Sequence, residues 1–388
     1  MFPRSKLVPF TVVLVALLGL PIQVTAQDTD FSVMLADVEL RPGVTVDLHV
    51  RVFVNEEQPC QGRTVLLVPG AWGSADVAAW TPFTEALFTD NQAGRKGCRV
   101  AILDLPGHGL SGLPEGGPLL GELTQTDYAA ALIGALEQLP DWGVKPKTVL
   151  AYSMGGIVTA LAQQALIDRG TNLRKAFNVQ KVVLLSPVPP AETPWAVADA
   201  FGPFYDGFYF CYTGPGGGVI PGCELIDTEP DGDVDYFDFQ AFDPTVRWDC
   251  DPDTTPLGPL GGFPDPLPAP VVEGLCDPIT QYGDTFLDFG THESATAIYE
   301  ILGGFQYQRP SVDPGIFKRR HKTTLFSIGL ENDLTILPTE TAASYVHYAD
   351  DPGLSGYVMV TGPTTDHSMI FIDPEGLLVG IAGTVDFP

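Results

Sequence analysis

The chain has 388 residues, with 48 acidic against 20 basic and a formal charge of −28 at pH 7. So acidic a surface repels nucleic acid, which excludes it as a partner, and anionic lipid heads, and it favours solubility and cation binding. The length suits one large domain with an insertion.

Arg4 and Lys6 precede an almost unbroken apolar run, Leu7 to Leu20, and Val24-Thr25-Ala26 then supplies small residues at cleavage spacing. This pattern predicts a signal peptide over 1–26, and hence a secreted or periplasmic protein. The alternative is a retained anchor, but the run is shorter than the roughly 20 residues that span a bilayer. No later stretch is long and apolar enough, so no integral membrane span is expected in the mature chain. Residues 27–388 keep 18 basic and 48 acidic residues, a formal charge of −30. Export makes disulfides the expectation for Cys60, Cys98, Cys211, Cys223, Cys250 and Cys276. No C-x-x-C pair occurs, which argues against a thiolate zinc site.

Residues 45–54, TVDLHVRVFV, alternate apolar and polar, as a half-exposed antiparallel strand does. TVLLVPG from Thr64, RVAILDLPG from Arg99 and TVLAYS from Thr148 are continuously apolar, as strands buried on both faces must be. KVVLLSP from Lys181 and TTLFSIG from Thr323 repeat that pattern, and GYVMVTG from Gly356 is the expected last strand. Between them, 76–88, 126–139 and 153–167 carry helical periodicity; the second follows Thr124 as a cap and stops at Pro140. Strands alternating with helices predict an α/β fold with a mostly parallel sheet and helices on both faces. Ligands on such sheets bind beyond the carboxyl ends of the strands.

The alternation breaks after Pro187. Residues 188–317 hold 22 acids and two bases, Arg247 and Arg309, with dense Pro and Gly and four of the six cysteines. This is too long for an ordinary loop. The expected organisation is a core of 27–187 and 321–388 with a lid or cap inserted at 188–320, including a helix over 292–302. Within the insertion, Asp227, Glu229, Asp231, Asp233, Asp235 and Asp238 occupy positions 1, 3, 5, 7, 9 and 12 of a loop with Gly232 at position 6. Oxygen ligands at that spacing are those of an EF-hand calcium loop, and Asp at position 12 looks more like the loops of dockerins. The plain alternative is an acidic, solvated loop. Asp249, Asp251 and Asp253 lack the glycine and the final acid and read as loop.

Ala151-Tyr152-Ser153-Met154-Gly155-Gly156 follows a buried strand and opens a helix. A serine on so tight a turn exposes its hydroxyl, and the residues two before and two after must be small. Ala151 stands where Gly is usual, one extra methyl. The plain alternative is a serine that merely caps a helix. VPGAWGS from Val68, DLPGHGLS from Asp104, LENDLTILP from Leu330 and TDHSM from Thr365 occur around this turn. Together these segments resemble the α/β-hydrolase superfamily over about 45–187 and 320–388, with the insertion uncovered. Pro69 departs from the His common in the first of these loops.

The resemblance implies Ser153 as nucleophile, His367 as general base and Asp333 as the acid that orients it, in the chain order of this fold. It implies oxyanion donors at the amides of Met154 and Ala71, and Trp72 in the substrate pocket, unless Trp72 serves packing alone. Of the rivals, His108 reads as structural, His292, His321 and His347 precede or lie outside the last strand, and Glu331 and Asp366 only neighbour the favoured positions. On this fold the strands after Cys60 and Cys98 are neighbours, which implies that pair; Cys211–Cys223 and Cys250–Cys276 would close local loops in the lid. The implied activity is that of an esterase or lipase on a small-molecule or lipid ester, with no organic cofactor; structural Ca²⁺ in the lid is a separate expectation from the spacing of its acidic loop. Lid aromatics such as Trp195, Phe201, Phe204 and Tyr205 suit an apolar acyl group or simple packing. The rival readings are an aminopeptidase like the proline iminopeptidases and a non-catalytic calcium-dependent binding protein on the same fold.

Overall fold

The computed structural model describes residues 30–54, 64–70, 80–89, 99–112, 114, 123–195, 309–333, 336–367 and 369–381. Eight strands form one sheet: β1 (Phe31–Arg41), β2 (Val44–Val54), β3 (Thr64–Val68), β4 (Arg99–Leu103), β5 (Pro146–Tyr152), β6 (Lys181–Leu185), β7 (Thr324–Leu330) and β8 (Tyr357–Val360). Their spatial order is β1-β2-β4-β3-β5-β6-β7-β8. The first two strands pair antiparallel and β2 meets β4 antiparallel; all the others are parallel. The helices are α1 (Trp80–Thr89), α2 (Gln125–Gln138), α3 (Met154–Asp168), α4 (Leu173–Phe177), α5 (Pro338–Ala349), α6 (Met369–Ile372) and α7 (Pro374–Ile381). The α/β reading therefore holds.

Why the central strands read as unbroken apolar runs follows from the two faces they bury. Leu66, Val68, Val149, Ala151, Val182 and Leu184 point into one core, closed by α2, α3 and α5. Val65, Leu67, Leu150, Tyr152, Val183 and Leu185 point into the other, closed by α1, α6 and α7. Successive side chains alternate between these faces, so each needs an apolar residue at every position.

Two details correct or extend the expectations. In β2 the alternation lasts only to Leu48; from His49 nearly every residue is buried, because Val50–Val54 also pairs with β4 and lies inside the sheet. The strand β1 is additional. Thr124 caps α2 as expected, its N–H bonding the Asp127 carboxylate at 2.7 Å, and a 3₁₀ turn over Leu139–Trp142 follows at Pro140. Among the described residues no helix is long and apolar enough to cross a membrane.

The chain leaves the described core at Trp195 and resumes at Arg309. The two stems are bonded to each other. Ala191 N–H donates to Pro310 O at 3.2 Å, Arg309 Nη1 to Thr193 O at 2.7 Å, and Ser311 Oγ to the Glu192 carboxylate. Buried Gln163 of α3 ties the returning stem to the core through Ile316 O at 2.9 Å.

Candidate active site

The order of the parallel strands reverses around β3, which lies between β4 and β5, and a crevice opens at such a point beyond the carboxyl ends of the strands. Ser153 sits there, one residue past β5, with φ 51° and ψ −119°. A non-glycine residue rarely adopts a positive φ, and the strain persists only where the surroundings fix it. They do so tightly. Ser153 N–H bonds Leu185 O at 3.0 Å, and its carbonyl accepts from Gly156 and Val188 N–H at 2.9 and 3.0 Å. A Cβ on Gly155 would overlap the carbonyl oxygens of Val68 and Pro69, which explains the glycine two residues after the serine. Ala151 is fully buried in β5, so the methyl in place of the usual glycine is accommodated.

Two loops complete the site. His367 Nε2 lies 3.1 Å from Ser153 Oγ, and its Nδ1 lies 2.8 Å from Asp333 Oδ2. The other Asp333 oxygen accepts from Ile336 N–H at 2.9 Å. Asp333 is fully buried and His367 is 5% exposed, so the pair is shielded from water that would weaken its attraction. The structure thus brings together three residues that the sequence separates by long stretches. Met154 opens α3, where first-turn amides have no intrahelical acceptor, so its N–H is free of the ladder by position. Ala71 and Trp72 lie outside the described residues, as do His292, all six cysteines and the loop from Asp227 to Asp238.

The rivals fall elsewhere. His108 is buried, with Nδ1 3.0 Å from Pro106 O and its ring edge-on to Tyr128. His347 Nε2 is 2.6 Å from Val312 O in the returning stem. His321 is half-buried beside Arg320; burial, then the charges of Arg320 and Lys318, hold its pKa below the ordinary value. Glu331 caps Gly362 N–H at 3.1 Å, and Asp366 is buried without contributing the carboxylate that meets His367 Nδ1.

Three further residues assemble the site, and none of them was assigned a role from the sequence. Asn332 Nδ2 donates to Gly362 O at 2.7 Å and to Thr365 Oγ1 at 2.9 Å, clamping the acid loop to the histidine loop. Tyr152 O–H donates to His367 O at 2.7 Å. Adjacency to Ser153, Asp333 and His367 was the only signal available for Tyr152, Asn332 and Thr365.

A mostly parallel eight-stranded sheet with a strained serine turn, a histidine and a buried carboxylate defines an α/β fold with a serine–histidine–aspartate constellation. The sequence pattern of the Alpha/beta hydrolase family matches residues 65–377, and the chain belongs to that family. No curated protein matches the sequence. Among solved structures, the complex of DcsB with its substrate analogue overlaps with a TM-score of 0.53 at 16% identity, covering 90% of this chain and 96% of that one. An α/β hydrolase enzyme, MGS-M2, from a Medee basin deep-sea metagenome library gives 0.49 at 14%, covering 87% and 93%. A thermophilic esterase from Thermogutta terrifontis, malate bound, gives 0.49 at 17%, covering 90% and 96%. At these identities the likeness concerns the fold.

Proposed function

We propose that the protein is a secreted serine hydrolase that cleaves carboxylic esters through an acyl-enzyme. The observation that carries this reading is the continuous line Ser153 Oγ, His367 Nε2, His367 Nδ1, Asp333 Oδ2, with separations of 3.1 and 2.8 Å across the open ends. A serine hydroxyl is a weak nucleophile until a base takes its proton. His367 takes it as Oγ attacks the carbonyl carbon, then returns it to the leaving alkoxide as the C–O bond breaks. Water, activated by the same imidazole, then attacks the acyl-enzyme and releases the acid and Ser153. Asp333 fixes the tautomer that leaves Nε2 free to accept and stabilises the imidazolium. The amide of Met154 at the start of α3 meets the developing oxyanion, with Ala71 proposed as its partner; losing one such donor typically costs about 3 kcal/mol of barrier.

The insertion is read as a lid over 188–320 that selects an apolar acyl group, and the paired stems at 190–193 and 309–312 support treating it as one inserted unit. Its loop from Asp227 to Asp238 is proposed to hold one structural Ca²⁺, since six carboxylates in twelve residues repel one another without a shared cation. The signal pattern at 1–26 supports export. The test is labelling of the full-length secreted protein by a fluorophosphonate probe, beside turnover of p-nitrophenyl esters and aminoacyl anilides. Labelling and ester turnover that vanish in Ser153→Ala are expected. Anilide turnover alone makes the protein an aminopeptidase, and neither labelling nor turnover of any kind refutes the enzymatic reading.

A further inference from the structure

We propose that Tyr152 is a positioning residue for the base: its phenolic O–H holds the main chain of His367 so that Nε2 stays on Ser153 Oγ. The proposal rests on the serine-hydrolase reading above.

The need for such a strut comes from the loop itself. β8 ends at Val360, so His367 lies seven residues beyond the last ladder bond that could fix it. Asn332 anchors the loop upstream, at Gly362 and Thr365. At His367 itself the backbone carbonyl accepts from Tyr152 O–H at 2.7 Å, a buried bond. Tyr152 is the last residue of β5 and Ser153 is the next, so one rigid strand end carries both the nucleophile and the support of the base.

The phenol ring is itself held in place. It packs against the His367 imidazole in a tilted arrangement, with a centroid distance of 5.0 Å and an interplanar angle of 35°. Trp80 of α1 backs it edge-on at 6.4 Å. A side chain on Gly70 would press against the ring and against Ser153 Cβ, so the glycine there keeps the space that the tyrosine fills. A ring so confined has little freedom to move its hydroxyl. Its bond therefore transmits the position of the strand to the histidine. Small errors in the geometry of the reacting groups cost large factors in rate, so a bond that removes one freedom of the imidazole acts on turnover more than on substrate binding.

Tyr152→Phe in the full-length chain keeps the ring and removes only the hydroxyl. With p-nitrophenyl acetate, kcat should fall about ten-fold, the equivalent of about 1.4 kcal/mol of barrier, with KM little changed. The rate of fluorophosphonate labelling should fall in parallel. In a His367→Ala background the same substitution should leave the residual rate unchanged, because the tyrosine acts only through the base. Rates are taken per folded molecule, so loss of fold does not count as loss of rate. An unchanged kcat in Tyr152→Phe, or an equal loss in both backgrounds, overturns the proposal. Ser153→Ala that keeps labelling and turnover overturns the enzymatic reading and this proposal together. An inactive Ser153→Ala beside a fully active Tyr152→Phe overturns this proposal alone.

Discussion

Replacing Asp104 by alanine should destabilise the fold more than any change at the exposed surface, although Asp104 takes no part in the proposed chemistry. Asp104 is fully buried just past β4. Its Oδ2 lies 2.7 Å from His49 Nδ1 and accepts from Leu110 N–H at 3.1 Å. Its backbone carbonyl accepts from Ser111 Oγ at 2.8 Å, and that oxygen accepts from His49 N–H at 2.8 Å. Alanine leaves the buried His49 Nδ1 donor without its acceptor, at about 1–3 kcal/mol, and removes the bond of the partly exposed Leu110 N–H, which water can replace in part. Moving the His49 proton to Nε2 gives no escape, because that nitrogen is buried and has no partner among the described residues. The expected loss is about 2–4 kcal/mol, while Asp104→Asn, which keeps one acceptor oxygen, should lose less. The assay is denaturant unfolding followed by tryptophan fluorescence at neutral pH, with the midpoint shifted and the slope unchanged. A stability for Asp104→Ala within about 0.5 kcal/mol of wild type, the range of ordinary surface substitutions, would refute the reasoning.

Asp333→Asn should lower kcat by roughly 10⁴-fold with the fold intact, because the amide no longer selects the tautomer that leaves Nε2 as acceptor; stopped-time ester assays measure it. Burial alone would raise the Glu192 pKa, but hydrogen bonds from Ser311 and the backbone amides of Glu192 and Val312, with the nearby His347, hold it below its ordinary 4.5. The stem contact therefore contributes full stability above pH 4.5 and loses it as pH falls through the lower folded value, so acid should speed proteolysis between the stems, and less so in Glu192→Gln. Calcium titrated calorimetrically into the full chain should bind at one site and raise the melting temperature, by linkage worth about 2.7 kcal/mol at a hundred times Kd; no heat at millimolar calcium returns the loop at 227–238 to plain solvated acid. Peptide mapping without reductant should recover Cys60 joined to Cys98, since β3 and β4 are parallel neighbours with Thr64 opposite Arg99.

The parts of the fold that were legible in the sequence are those where one rule governs a whole segment. β3 to β7 are buried on both faces, and nothing but continuous apolar residues satisfies that. By contrast, β1 hides its period. Its buried residues are Val33 and Leu35, then Val38 and Leu40, because a bulge at Asp37, with φ 53°, shifts the phase by one. α5 is obscure for a different reason. It buries Glu340, Thr341 and Ser344 beside its tyrosines, so its inner face carries no apolar stripe, and its start is set by Glu340 reaching back to Leu337 N–H at 2.9 Å. The three groups of the site were legible because each sits in a short segment shaped by its own turn. Tyr152 and Asn332 were not, because their partners lie far along the chain and nothing local encodes those contacts.

The segment proposed as an insertion leaves the described core beside the candidate site. β6 lies between β5, which carries Ser153, and β7, which leads to Asp333, and the chain departs immediately after β6. Val188, in the departing stem, donates its N–H to the carbonyl of Ser153 at 3.0 Å, and Gly156 lacks a side chain where Pro187 presses on α3. The root of the insertion is thus built into the strained turn. Yet the stems close on each other through Arg309, Glu192 and Ser311, and the return is fixed to α3 by Gln163 and to α5 by Phe317 N–H on Tyr348 O at 2.9 Å. On the proposed reading, these bonds let Ser153, His367 and Asp333 keep their distances while the sequence beyond the neck varies. On the same reading, a substitution at Pro187 or Val188 acts on the turn directly, and its expected signature is a change in kcat rather than in substrate preference.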